Sequence, residues 1–506
     1  MSVDYGLLLD HEAYDKLQNK LEKELFIFQW LTGLEKSVLN YNRAEFKPIQ
    51  SKLTLELQDV LRSEHGPPVR RLLGHAFAAV YLTGDTYSMY DTISVCLELI
   101  KSKTTDTSAQ SSVKLGCIET LGHLYEKLGR SAGGLFPDSL QALTKALKSS
   151  DPSVRKACLV SMQQMLEGLQ NSASYGFKDL SKCFRSSMAD KSALVRCKAV
   201  QGQRTLALHY NLTYITDLDS NISICLRTLE GADYDTRIAI AQLIGTLLAG
   251  ALKFKPPEGS KLKTYSNEDV FSLLSLSFLH GSISLLKTSG VDLGKSLTPR
   301  EVRVGVTEAY VFFFKEMNNP WVVNHLSYIV SHLLDLLANS KATPSHVEAV
   351  YSRKCLSFVM ECLINSLLGE ASQLEISKIL IVAVHKQMEA INKTDSTAYD
   401  MQCSQHIIAT ALYQLSSVVL RLGTASMTLI TDHIPVGPGK NIMFTETLFS
   451  VLLHPSAAAR LTSAWCLRCT ATAVPAQLTA LIDICTGWLA LILFIYIGTY
   501  IKVYCL

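Results

Sequence analysis

The sequence predicts an all-α fold, an α-solenoid of antiparallel helix pairs, and three observations carry that prediction. A basic residue in a common local setting returns at Arg70, Lys114, Arg155, Arg196 and Arg237, at intervals of 44, 41, 41 and 41 residues. Between these marks lie second amphipathic segments, at 175–190 and 220–233, each too short to be stable alone. Strand signals, meaning period-two runs bounded by hairpin turns, are sparse before the last 20 residues. A self-similar period of about 40 residues belongs to two-helix repeats of the HEAT and armadillo kind. In such repeats each hairpin covers its apolar face only by leaning on its neighbours.

The stretch SSDPSVRKACLVSMQQML (149–166) sets the pattern for each repeat. Asp151 suits an N-cap, and Pro152 suits the first helical turn, where its missing N–H would be unpaired anyway. Val154, Cys158, Met162 and Met165 then recur at helical spacing. Asp190, and Asp235 or its neighbour Asp233, occupy equivalent helix starts. The basic residue one turn later is placed to bond an acidic side chain or turn carbonyls of the adjacent repeat, so the eight positions read as a structural ladder. A row of arginines binding an anionic ligand along a groove is the alternative.

The regularity makes residues 1–252 a first solenoid. The Pro-, Gly- and Lys-containing stretch 253–269 reads as a loop. Helical segments at 300–317, 346–368, 404–423 and 454–471 resume at a wider spacing of about 50 residues, giving a second segment over 270–483. A further loop is expected at 434–441.

Composition narrows the function. With 48% hydrophobic and 18% charged residues the chain can fill a core, and a net charge of +3 supplies no concentrated basic face for nucleic acid. The thirteen cysteines are scattered through apolar patterns, which fits reducing cytosol, and the start of the chain lacks the leader of a secretory signal. Sequons at Asn211, Asn221 and Asn392 are therefore expected to be unmodified. SGVDLGKS (289–296) approaches a phosphate loop but has Ser289 where the first glycine belongs. Cys466 and Cys469 form a CxxC pair with no second pair for zinc. No catalytic, metal or cofactor residue is assigned, and no enzyme is expected. Protein binding is left as the role, with a karyopherin-like nuclear transport carrier as the alternative; such carriers tend to be strongly acidic, which this chain is not.

Residues 484–501 run for 18 positions without a charge, with Trp488 and Tyr500 near the ends. This length suffices for a bilayer. The abrupt change of character favours a terminus foreign to the repeats, such as an interrupted reading frame leaves, ahead of a membrane anchor or a last buried helix.

ELFIFQWLTGLEK (24–36), GPPVRRLLGHAFAAVYLTGDTYSMYDT (66–92), LGHLYEKLGRSAG (121–133), REVRVGVTEAYV (300–311) and LLHPSAAARLTSAWCLRC (452–469) together resemble the amino-terminal region of the HEAT repeat-containing protein 5 family. The resemblance covers about residues 1–485, and the tail departs from it. It implies a cytoplasmic, non-catalytic scaffold, peripheral at the trans-Golgi network and endosomes in clathrin-adaptor traffic. The partners it implies are aftiphilin, gamma-synergin and the clathrin adaptor complex. It supplies no binding residue position by position.

Overall fold

The computed structural model describes residues 7–102, 108–209, 217–256, 258–259, 262–281, 299–391 and 398–487. The phosphate-loop look-alike at 289–296, Asn211, Asn392 and the tail beyond residue 487 lie outside the described residues. The chain forms two compact units, Met1–Tyr265 and Ser266–Leu506.

The first unit runs α1 (His11–Lys16), α2 (Lys20–Val38), α3 (Arg43–Leu61), α4 (Pro67–Thr83), α5 (Met89–Lys101), α6 (Ser108–Leu128), α7 (Phe136–Ala146), α8 (Pro152–Leu169), α9 (Phe177–Ser187), α10 (Ala193–His209), α11 (Leu218–Leu229) and α12 (Tyr234–Lys253). From α3 onward the helices pair in order, and the even-numbered helices α2 to α12 stack side by side in one row. Each partner helix presses a short apolar stripe onto that row: Phe136, Leu140 and Leu143 from α7, Leu180 and Phe184 from α9, Ile222, Cys225 and Leu226 from α11 are all buried. No helix here has a core of its own, so the stack is held by apolar burial between neighbours.

Close approach within the row depends on small residues. At Gly168, near the end of α8, an added Cβ would overlap the Tyr125 carbonyl oxygen of α6. At Gly74 in α4 a Cβ would come within 2.6 Å of the His123 ring.

The second unit runs α13 (Asn267–His280), α14 (Arg300–Met317), α15 (Asn319–Asn324), α16 (Leu326–Ala338), α17 (His346–Ser366), α18 (Glu370–Ile391), α19 (Ala398–Leu422), α20 (Met427–Thr431), α21 (Phe444–Val451) and α22 (Ala457–Ala473). Here α14, α17, α19 and α22 form the continuous row, backed by α13, α16, α18 and α21. Its start carries a capping box, with Ser266 and Asp269 satisfying each other's backbone N–H groups.

The expected loop at 434–441 contains a small hairpin instead, Ile434–Gly437 against Lys440–Ile442. Pro438 and Gly439 form its turn, Gly439 taking a φ of +69°, which glycine reaches at no steric cost. It is the one sheet among the described residues. Two helical stretches, Tyr234–Lys253 and Cys403–Thr431, are long and apolar enough to cross a membrane by composition, yet 67% and 61% of each is buried inside the protein.

Candidate functional site

The ladder residues lie at the turns leading into the row helices. Asp151 caps α8, its carboxylate accepting the Ser153 N–H at 2.8 Å, and also accepts the Ser111 hydroxyl of the preceding row helix at 2.8 Å. Burial pushes this carboxyl up, but those hydrogen bonds outweigh it and leave it below its ordinary value. Arg155 reaches backward to the Ser149 and Ser150 carbonyls, both at 2.9 Å, and forward to Asp190 of the next turn through two bonds of 2.8 and 2.9 Å. Arg196 repeats the backward reach, to the Asp190 and Lys191 carbonyls at 3.0 and 3.1 Å, and touches the Gly231 carbonyl of the next turn at 3.5 Å. Arg70 bonds the His65 carbonyl at 2.8 Å and meets Glu119 of the next row helix at 3.4 Å.

Three positions depart from the expected ladder. Lys114 takes no part in these bonds. It lies six residues inside α6, beyond reach of a turn, and Ser111 and Ser112 make the contacts to neighbouring turns instead. Asp235 does not cap α12; Asp233 does, accepting the Thr236 N–H at 3.2 Å. Arg237 lies over the Tyr234 ring, 5.4 Å from its centroid. The closer carbonyl partners belong to each arginine's own turn, and the adjacent repeat supplies the acidic partners of Arg70 and Arg155 and, at 3.5 Å, the Gly231 carbonyl for Arg196.

The same device recurs at a position outside the expected ladder. Arg460 bonds the His454 and Pro455 carbonyls at 2.8 and 2.7 Å, the same backward steps of six and five residues used by Arg155 and Arg196. Arg303, also outside the expected ladder, is fully buried, held by Glu348 at 3.1 Å and by the Lys341 carbonyl at 2.9 Å.

The Arg155–Asp190 pair is largely sheltered, with side-chain exposures of 17% and 15%. The hydrogen bonds from Arg155 hold the Asp190 carboxyl below its ordinary value. A depressed carboxylate stabilises the fold above its unfolded pKa of about 3.9, and that contribution disappears as pH falls through the lower folded value. Asp190→Ala is expected to cost about 2 kcal/mol in urea unfolding at pH 7, less than for a fully stranded charge because Arg155 keeps its two carbonyls. The difference between variant and parent should shrink as pH falls below the ordinary carboxylate range.

Because the arginines are consumed by these bonds, they present no row of free guanidinium groups to a ligand. One open feature of this face is a groove of about 560 Å³ across α4, α6, α8 and α10. Arg71, Lys156 and Lys198 supply its positive charge, while Leu115, Val160 and Leu194 supply apolar lining. Glu119 at its side is engaged with Arg70, and burial raises its carboxyl. His123 lies against His75 with ring centroids 4.4 Å apart and planes tilted by 37°; burial, then the charge of His75, pushes its imidazole down. Among the described residues no three metal-ligating side chains converge. Cys466 and Cys469 are buried in the α22 packing, and Asn221 is buried on α11 with 5% exposure. This arrangement is chemically suited to hold an extended surface of mixed apolar and acidic character.

Rows of paired helices, locked turn by turn, make this chain an all-α solenoid of HEAT-like repeats. No family profile matches the sequence. It is similar to Protein SWEETIE of Arabidopsis thaliana, at 26% identity over 233 residues, which is 44% of this chain and 10% of that protein. The chain thus matches about a tenth of the length of that curated relative. Among solved structures it is similar to yeast importin-beta (Kap95p), with 10% identity and a TM-score of 0.46 over 96% of this chain and 66% of that one. It is also similar to an engineered protein, with 12% identity and a TM-score of 0.34 over 92% and 98% of the two chains. Neither structural likeness reaches a TM-score of 0.5, and neither identifies a function.

Proposed function

We propose that this protein is a non-catalytic scaffold that binds protein partners through its row helices, acting in clathrin-adaptor traffic between the trans-Golgi network and endosomes. The observation that carries the scaffold role is the open groove of α4, α6, α8 and α10, whose cations Arg71, Lys156 and Lys198 are separate from the engaged ladder arginines. Apolar lining flanked by charge suits a partner segment better than a small substrate. The traffic role and its partners, aftiphilin, gamma-synergin and the clathrin adaptor complex, rest on the sequence resemblance. Peripheral location on those membranes follows from the same resemblance.

Affinity capture with tagged residues 1–506, probed for aftiphilin, gamma-synergin and adaptor subunits, tests the reading. Capture by the parent chain, lost in the triple variant Arg71→Glu, Lys156→Glu, Lys198→Glu with an unchanged far-ultraviolet spectrum, is the expected result. Failure to capture any of the three sinks the traffic role, and cargo released by a GTP-bound GTPase would install the nuclear carrier in its place.

A further inference from the structure

The second unit contains a charged group left without a partner. Arg353, on the row helix α17, makes no hydrogen bond or ion pair among the described residues, and its Nε is buried. Burial alone pushes its guanidinium below its ordinary value, since no anion stands beside it. A half-buried cation without a counter-charge is costly, and proteins ordinarily remove or pair it.

Arg353 lines a groove of about 400 Å³ between α17, α19 and α22, together with Lys354, Thr410, Tyr413 and Thr462. Thr410 is 2% exposed, lines that groove, and its hydroxyl has no partner. A helical threonine usually satisfies itself on the carbonyl four residues back, as Thr307 does on Arg303 at 2.6 Å. Four residues before Thr410 on α19, His406 is 3% exposed with both ring nitrogens unpartnered. Unsatisfied buried polar groups are rare, and two at one groove, Arg353 Nε and Thr410 Oγ1, mark a place where an outside group completes the bonding. The rim is apolar and open: Phe358 is 46% and Tyr413 51% exposed. The groove's acid, Glu361, lies eight residues along α17 from Arg353, about 12 Å by helical rise. Near Arg353 the balance is therefore two cations and a hydroxyl donor.

We propose that this groove is a docking site for a peptide segment of a partner protein, with the carboxylate of an Asp or Glu received by Arg353 and Thr410 and a neighbouring apolar side chain resting on Phe358 and Tyr413. The carboxylate supplies the missing counter-charge and accepts from the idle hydroxyl. Charge complementarity selects the acid, and the exposed rings select its apolar neighbour. This site stands apart from the traffic role, because its chemistry is the same whatever the partner.

The test is an array of 12-residue peptides carrying one Glu with a Phe or Leu three or four residues away, each matched to its Gln and phosphoserine counterparts, probed with residues 1–506. Glu peptides are expected to bind at least tenfold more tightly than their Gln twins. Arg353→Met should abolish that preference while leaving the melting temperature equal or higher, since an uncompensated cation has been removed. The isosteric Thr410→Val should weaken Glu peptides several-fold, also without loss of stability. Equal binding of Glu and Gln peptides, binding of phosphoserine peptides alone, or retention of the preference in Arg353→Met overturns the proposal. A lowered melting temperature in both variants overturns its premise, because it would show these groups to be satisfied within the fold.

Discussion

Replacing Gly168 by alanine is expected to lower the stability of residues 1–506 by about 3 kcal/mol, although alanine is the better helix former by about 1 kcal/mol. The added methyl group would overlap the Tyr125 carbonyl oxygen, which belongs to the backbone of the neighbouring row helix and cannot rotate away. Gly129, at the end of α6, closes the same contact from the other side: its φ is +49° and a Cβ there would lie 2.7 Å from the Gly168 carbonyl oxygen. Relief requires α6 and α8 to move apart, and interiors packed at crystal density do not yield without losing contacts along the whole interface. Gly33, on α2, would place an added methyl group with nothing within 4 Å of it, and so provides the control. Gly33→Ala should leave stability unchanged or raise it by up to about 1 kcal/mol. Urea unfolding followed by circular dichroism separates the two, and equal midpoints would refute the close-approach account.

Protonation of His332 alone should cost the second unit about 3 kcal/mol between about pH 6.5 and pH 4. Its Nε2 lies 2.8 Å from the Tyr310 hydroxyl of α14 and 3.5 Å from the Ser275 hydroxyl of α13, with the edge-on Phe271 ring 4.6 Å away. Among the described residues no carboxylate is bonded to it, and burial pushes its pKa down to about 4. An unfolded histidine takes a proton near pH 6.5, so below that pH protonation favours the unfolded chain until the folded group also titrates. The loss therefore begins at about pH 6.5 and ends near pH 4. Buried His406, also lowered to about 4, acts in the same direction, whereas burial raises the carboxyl of Asp335 on α16, which acts oppositely. His332→Gln should flatten the slope of the urea midpoint against pH across this window. An unchanged slope would assign it elsewhere.

How much of this is legible in the sequence depends on the range of the interaction. Caps and backward-reaching arginines act within six residues, so the repeat of Asp151, Arg155, Asp190 and Arg196 exposes both the period and the hairpin turns. The same spacing marks Arg460 in HPSAAAR, where the turn carbonyls are bonded without an aspartate beside them to signal the cap. Lys114 misleads because its aligned position falls inside a longer helix, where the turn lies out of reach. Asp233 and Asp235 both satisfy the cap pattern, and only the helix boundary chooses between them. The buried Arg303–Glu348 pair spans 45 residues and has no local signature. Arg353 is beyond any reading of the sequence, because its significance lies in lacking a bonding partner among the described residues.

The turn lock has a consequence for how such a chain is made. Arg155 can secure its own turn through Ser149 and Ser150 as soon as one hairpin has emerged, 35 residues before Asp190 is needed. Contacts of short reach form quickly, and each completed hairpin offers a ready surface to the next. Assembly during synthesis can then advance from the first repeat like a zipper, with little apolar surface waiting exposed at any moment.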